Sequence, residues 1–186
     1  MIAVSENTER IEPVERFGFI TVVEVPELGF AGGMLVVSPQ GRPIEFHCTP
    51  PVAENRTQKI LYGQTYRGFL FCDQIASSIF EKSKSRPQLL ITDRAELLAL
   101  DKIDQTPVVL LCSDASPEEQ PAENRIASFD VGGERVTAQI RDDVLLSSVK
   151  YACNEFTKSL PLVEPFERIR LAIDEAQAVS RQAVSR

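Results

Sequence analysis

Residues 32–51 read GGMLVVSPQGRPIEFHCTPP and contain the pattern that decides the fold of this chain. Two apolar runs flank a turn in which Pro39 pre-sets φ at the first central position, and Gly41 takes the positive φ that closes the turn. We therefore expect the runs, at about 34–38 and 43–49, to pair as a β-hairpin. The two prolines that follow predict the end of the sheet.

Further β-structure is predicted on both sides of this hairpin. Residues Phe17–Val25 are rich in β-branched and aromatic side chains and stop before a proline. The pair Gly132-Gly133 separates two short runs and predicts a second hairpin, because both central positions of a type I′ turn need positive φ. Leu89–Thr92 and Val108–Cys112 are almost wholly apolar, which predicts two strands inside a sheet and leaves their mutual direction open.

Helices are predicted around these strands. Apolar residues recur every three or four positions over 57–84, after Asn55 as a plausible N-cap, and similar stripes mark 144–158 and 164–179. The predicted fold class is α/β, with α+β as the alternative. In either case a mixed or mainly antiparallel sheet with two β-hairpins is covered by helices.

The length of 186 residues and a hydrophobic content of 43% favour one domain with a sizeable core. We expect this domain to span 1–160, with 1–14 flexible, and 161–186 to form a C-terminal helix and a flexible tail. That helix carries an apolar stripe beside a charged face, so it either packs on its own domain or pairs with another chain. A homodimer is one expected outcome, because two-fold dimers are the commonest closed assembly.

Charge and cysteine usage limit the partners and the compartment. The net charge of -7 argues against nonspecific binding of nucleic acid, which needs a surplus of Lys and Arg, so no nucleic-acid partner is expected. No apolar run approaches the roughly 20 residues that span a bilayer, and the first residues lack the core of a secretory signal. These features predict a cytoplasmic protein without membrane contact. The four cysteines form no C-x-x-C pair and are predicted to be reduced thiols.

Glu45 and His47 are the leading candidates for catalysis. Adjacent residues of a strand point to opposite faces, so Cys48 diverges from His47 whereas Glu45 shares its face. A carboxylate beside an imidazole can fix its tautomer for acid-base chemistry or share a metal ion with it. The simpler interpretation is a structural, hydrogen-bonded histidine, and a Cys-His nucleophile is the least favoured.

Asp93 and Asp114 each follow a predicted buried strand. If those strands are parallel and adjacent, the two carboxylates converge on a weak candidate site for Mg²⁺. The simpler interpretation makes Asp93 a helix N-cap with Glu96 as its capping-box partner. Asp114 is then the first residue of a polar loop. Accordingly, neither a metal nor another cofactor is assigned.

A ligand-binding site is predicted from the segment 62–68, in which two tyrosines and Arg67 supply hydrogen-bond donors. Tyr62 and Tyr66 lie one helical turn apart and offer hydroxyl groups on apolar bodies, and Arg42 and Arg56 could join them to hold an anion. In the simpler interpretation both tyrosines are half-buried at the rim of the fold.

The middle third of the chain resembles a group of bacterial proteins to which no function is attached. The segments that carry the resemblance are 32–51, 60–63 and 90–93. The shared pattern is a Gly-Gly pair, an apolar triplet, Gly-Arg-Pro, Glu-Phe-His-Cys-Thr and a later Leu-Tyr-Gly. This resemblance implies that the block acts as a unit, and it implies no activity.

None of the candidate sites outweighs its structural interpretation. The predicted function is therefore a non-enzymatic interaction or regulatory domain, with a protein partner or self-association. The alternative is a hydrolytic or metal-assisted enzyme that uses Glu45 and His47 with Asp93 or Asp114. The two hypotheses differ in whether those side chains meet in one cleft.

Overall fold

The structure is a computed structural model that describes residues 13–100, 106–112, 126–139 and 143–184. Asp114 and most of the predicted flexible segment 1–14 lie outside these ranges. The described residues form one sheet of seven strands. The strands are β1 (Phe17–Val25), β2 (Gly29–Val37), β3 (Pro43–Cys48), β4 (Leu89–Thr92), β5 (Val108–Cys112), β6 (Ile126–Val131) and β7 (Glu134–Gln139).

The sheet has the order β3-β2-β1-β4-β5-β7-β6 and is mixed. Strands β1, β4 and β5 are parallel, and every other neighbouring pair is antiparallel. Both predicted hairpins are present. The mixed sheet together with its helices confirms the predicted α/β class. In the first turn Ser38 N donates to Arg42 O at 2.9 Å, and Gly41 has φ +72°.

The helices cover both faces of this sheet. They are α1 (Arg56–Tyr62), α2 (Tyr66–Gly68), α3 (Ser77–Lys82), α4 (Asp143–Thr157) and α5 (Glu164–Val184), with 3-10 turns at Gly63–Thr65 and Ala95–Leu100 and a π-helical stretch at Phe69–Ala76. Gly63 at φ +53° ends α1, whereas Gly68 keeps a helical φ of -59°. The two glycines predict that the stretch 57–84 splits into a short helix and a longer one, and of these two positions only Gly63 interrupts the helix. None of the helices in the described part of the chain is long and apolar enough to cross a membrane.

Two apolar layers flank the sheet. The α5 face is covered by α4 and α5, and its core includes Phe19, Phe156 and Phe166. The α3 face is covered by the helical stretch 56–82 and the 3-10 turn after β4. Because side chains alternate along a strand, β1 and β2 contribute to both layers.

Helix α5 packs on its own sheet. Phe166, Ile169 and Ile173 are fully buried in the core of the α5 face, and the Phe166 ring meets the Phe19 ring edge-on at 5.5 Å. Of the two outcomes left open for this helix, the structure shows the first. The argument for a homodimer rested on an apolar stripe in need of a partner, and that stripe is covered.

Candidate functional site

A cavity of about 570 Å³ lies where β4 and β5 end, on the side toward α5. This volume is within the usual range of small-ligand sites. Its wall carries three basic and three acidic side chains, namely Arg94, Arg135, Arg170, Asp93, Asp130 and Glu134.

The topology of the sheet creates this cavity. The carboxyl ends of parallel strands share one edge, and ligands of α/β sheets bind beyond that edge. The β6–β7 hairpin closes the side, because Arg135 at the start of β7 pairs with Cys112 at the end of β5. Glu134 holds the two residues that precede α5, because it accepts hydrogen bonds from Leu162 N at 3.0 Å and Val163 N at 3.3 Å.

Asp93 is held by an arginine from the C-terminal helix. Its Oδ2 accepts a hydrogen bond from Arg170 Nη2, and Arg170 also lies over the Phe166 ring at 6.0 Å. The other oxygen, Oδ1, is buried and has no hydrogen-bond partner in the described part of the chain. The predicted capping role of Asp93 is wrong, since Thr92 Oγ1 accepts from Arg94 N at 3.1 Å and the following turn is 3-10.

Arg94 differs from the other two arginines of the cavity. Arg135 pairs with Asp130 at 3.3 Å, and Arg170 pairs with Asp93. Arg94 Nε is buried and lacks a hydrogen-bond partner among the residues that the structure describes. A buried donor without an acceptor is costly, so an acceptor oxygen that reached this group would relieve that cost.

Glu45 and His47 form a pair on β3, on the α3 face, as the strand alternation predicts. His47 Nε2 lies 2.5 Å from Glu45 Oε1, and Glu45 also accepts from Lys84 N at 3.0 Å and Ser85 N at 2.6 Å. The backbone N–H of Lys84 and then the contact with His47 lower the pKa of Glu45 to about 2. Burial raises the pKa of Cys48, so a thiolate beside His47 is disfavoured.

The structure does not bring Glu45 and His47 to Asp93. Three strand spacings separate β3 from β4, which is about 14 Å. Asp93 also lies on the α5 face, whereas the Glu45–His47 pair lies on the α3 face. No single cleft in the described residues can use all three side chains.

Glu45 accepts hydrogen bonds from the backbone N–H groups of Lys84 and Ser85, and we call this arrangement the Glu45 clamp. It predicts a pH dependence of stability. Because folding lowers its pKa from 4.5 to about 2, the carboxylate stabilises the fold above pH 4.5, and this contribution is lost as the pH falls toward 2. We expect the urea midpoint of the wild type to fall more steeply over that window than the midpoint of Glu45→Gln. Glu24→Gln, at an exposed position of β1, is the control and should keep the wild-type slope. Equal slopes for all three proteins would contradict the clamp.

The predicted tyrosine and arginine site is not assembled. Tyr66 is buried, and its hydroxyl oxygen accepts a hydrogen bond from Asn55 N at 2.9 Å, which makes it a support for the start of α1. Tyr62 is exposed. Arg42 precedes β3 and Arg56 begins α1 beyond its other end, so the strand separates the two arginines.

The sequence predicted only one residue of the cavity, Asp93. Arg94 had a usable signal, because it follows a buried strand directly beside that aspartate. Arg135 also had one, as it lies two residues beyond the glycine pair of the hairpin. Arg170 had none, since 77 positions separate it from its partner Asp93.

No family model and no curated protein matches this chain. Solved structures do match it in fold. The catalytic domain of human Endonuclease V is 14% identical, with a TM-score of 0.55 over 89% of this chain and 85% of that one. Endonuclease V of Ciona intestinalis, in complex with a 24mer DNA containing an inosine followed by a ribo-adenosine, is 10% identical, with a TM-score of 0.54 over 88% of this chain and 87% of that one.

This likeness corrects two predictions. The non-enzymatic interaction or regulatory domain is wrong as the first hypothesis, because the solved structures that share this fold are those of Endonuclease V. The exclusion of nucleic acid is also wrong, because one of the two matched structures holds DNA. The physical reason is that a net charge of -7 averages over the whole surface and gives no information on local sites, such as the cavity where three arginine and three acidic side chains meet.

Proposed function

We propose that the protein binds a nucleic-acid strand and holds one of its phosphate groups in the cavity beyond β4 and β5. Arg94 carries this proposal, because it lines the cavity and its Nε has no acceptor among the described residues, whereas Arg135 and Arg170 are paired with carboxylates. The fold likeness to an Endonuclease V in complex with DNA supports it.

The acidic composition is compatible with such a site. At physiological salt, charges more than about 8 Å apart are largely screened, so distant carboxylates weaken phosphate binding little. Within the cavity, Asp93 and Asp130 are already offset by arginines, and Glu134 is engaged with backbone N–H groups. A phosphate can therefore contact Arg94 without competition from a carboxylate of the cavity for this arginine.

Hydrolysis of the bound strand is the second candidate, favoured by one observation. Asp93 lines the cavity, and its Oδ1 has no hydrogen-bond partner in the described residues, so the carboxylate keeps an unused acceptor for the proton of an attacking water. Arg94 and Arg170 would offset the negative charge that develops on the phosphate. Of the residues in the hydrolytic hypothesis, this candidate retains Asp93 and does not use Glu45 or His47.

The test is binding of fluorescent single-stranded DNA and RNA, measured by polarisation across a salt series. We expect Arg94→Ala to weaken binding about 10-fold, the loss of a charge-assisted hydrogen bond. Arg67→Ala removes an exposed arginine of the α3 face and should leave the affinity unchanged. The proposal fails if no strand binds or if both variants weaken binding equally. Gel analysis of the same mixtures tests hydrolysis, which Asp93→Asn should abolish.

A further inference from the structure

The place at Asp93 where the sequence suggested Mg²⁺ is taken by a guanidinium group. Arg170 Nη2 contacts Asp93 Oδ2, and the guanidinium group of Arg170 lies over the Phe166 ring. Asp93 is largely buried, with a side chain 18% exposed, whereas Arg170 is 42% exposed toward the cavity. The negative charge of Asp93 is thus offset by a cation that belongs to the chain.

The side chains that the structure describes around Asp93 do not fit a divalent ion. No group of three His, Cys, Asp or Glu residues that could hold a metal occurs in the described part of the chain. On β1, one step beyond the Ile20–Thr92 pair, the neighbour of Asp93 on the α5 face is Thr21. Its hydroxyl is neutral, and Mg²⁺ in proteins is held by carboxylates and water. Asp130 is paired with Arg135.

We infer that the cavity binds phosphate directly on Arg170 and Arg94, with no divalent ion between protein and ligand. The identity of the ligand rests on the proposed function. A guanidinium group has five N–H donors in a planar fork, so Arg170 can contact Asp93 and still offer donors to an anion. In this arrangement Asp93 positions Arg170.

The test is an NMR titration of the ¹⁵N-labelled protein with inorganic pyrophosphate in excess EDTA. We expect saturable shifts of the Asp93, Arg94 and Arg170 amides, and the same affinity after Mg²⁺ replaces EDTA. Arg170→Gln should weaken binding about 10-fold. Asp93→Asn should retain binding, because the amide oxygen of asparagine can still accept a hydrogen bond from Arg170. The dispersion of the spectra shows whether each variant is folded, and Arg67→Ala is the matched control.

The opposite pattern would overturn the inference. Shifts that require Mg²⁺ and disappear in Asp93→Asn would show that Asp93 holds a metal ion, and the absence of any shift would show that the cavity does not bind phosphate. Failure of the proposed function looks different. If pyrophosphate binds in EDTA but no oligonucleotide binds, direct phosphate binding stands and the nucleic-acid ligand is wrong. If oligonucleotides bind but pyrophosphate needs Mg²⁺, the nucleic-acid ligand stands and direct phosphate binding is wrong.

Discussion

Phe156→Ala is expected to lower the free energy of unfolding by about 3–5 kcal/mol. Phe156 is fully buried on α4, with its ring 4.8 Å from the Phe17 ring and 5.4 Å from the Phe19 ring. Truncation removes the transfer free energy of the ring and leaves a cavity between α4 and β1, which close-packed neighbours cannot fill.

Urea unfolding followed by circular dichroism measures this loss. Tyr151→Ala is the control, since Tyr151 lies on the same helix with half of its surface exposed, and an exposed substitution usually changes stability by less than about 0.5 kcal/mol. If the two variants lose the same amount, α4 is not docked through Phe156.

Gly33→Val should lower the free energy of unfolding by about 1–3 kcal/mol, because it overpacks the contact between β2 and α5. A Cβ atom at Gly33 would lie 2.5 Å from Ile169 Cγ2 and 3.0 Å from Ile173 Cδ1. The Cγ2 methyl of a β-branched residue has little freedom to move, so the helix itself must shift.

The matched control is Gly68→Ala, for which no atom lies within 4 Å of the new Cβ and the backbone is already helical at φ -59°. That substitution should raise stability by about 0.5–1 kcal/mol, because alanine loses less backbone freedom than glycine on folding. Urea midpoints compare the two variants with the wild type. A neutral Gly33→Val would mean that α5 does not approach β2 as closely as described.

Local chemistry explains why the hairpins were predictable. The turn at Pro39 and Gly41 and the glycine pair at Gly132 are encoded by the φ angles that their own residues adopt. The same holds for the shared face of Glu45 and His47, which follows from strand alternation. Each of these features depends on residues close together in the chain.

The order and direction of the strands had no such local signal. The sequence left the mutual direction of Leu89–Thr92 and Val108–Cys112 open. The structure makes them parallel neighbours, and β1 pairs in parallel with the other edge of Leu89–Thr92. Parallel pairing depends on contacts between distant segments, which no short pattern records. The position of α5 over β1 and β2 was undecided for the same reason.

The sequence by itself determined the two hairpins and the shared face of Glu45 and His47, because turn preferences and strand alternation act over a few residues. It favoured the α/β class and left α+β open. Only the tertiary structure decided that Asp93 meets Arg170 across 77 positions and that Glu45 does not meet Asp93. It also gathered Arg94, Arg135 and Arg170 at one cavity in an acidic chain. The composition sums charge over the whole molecule, whereas a binding site depends on the few charges that the fold brings within a Debye length of each other.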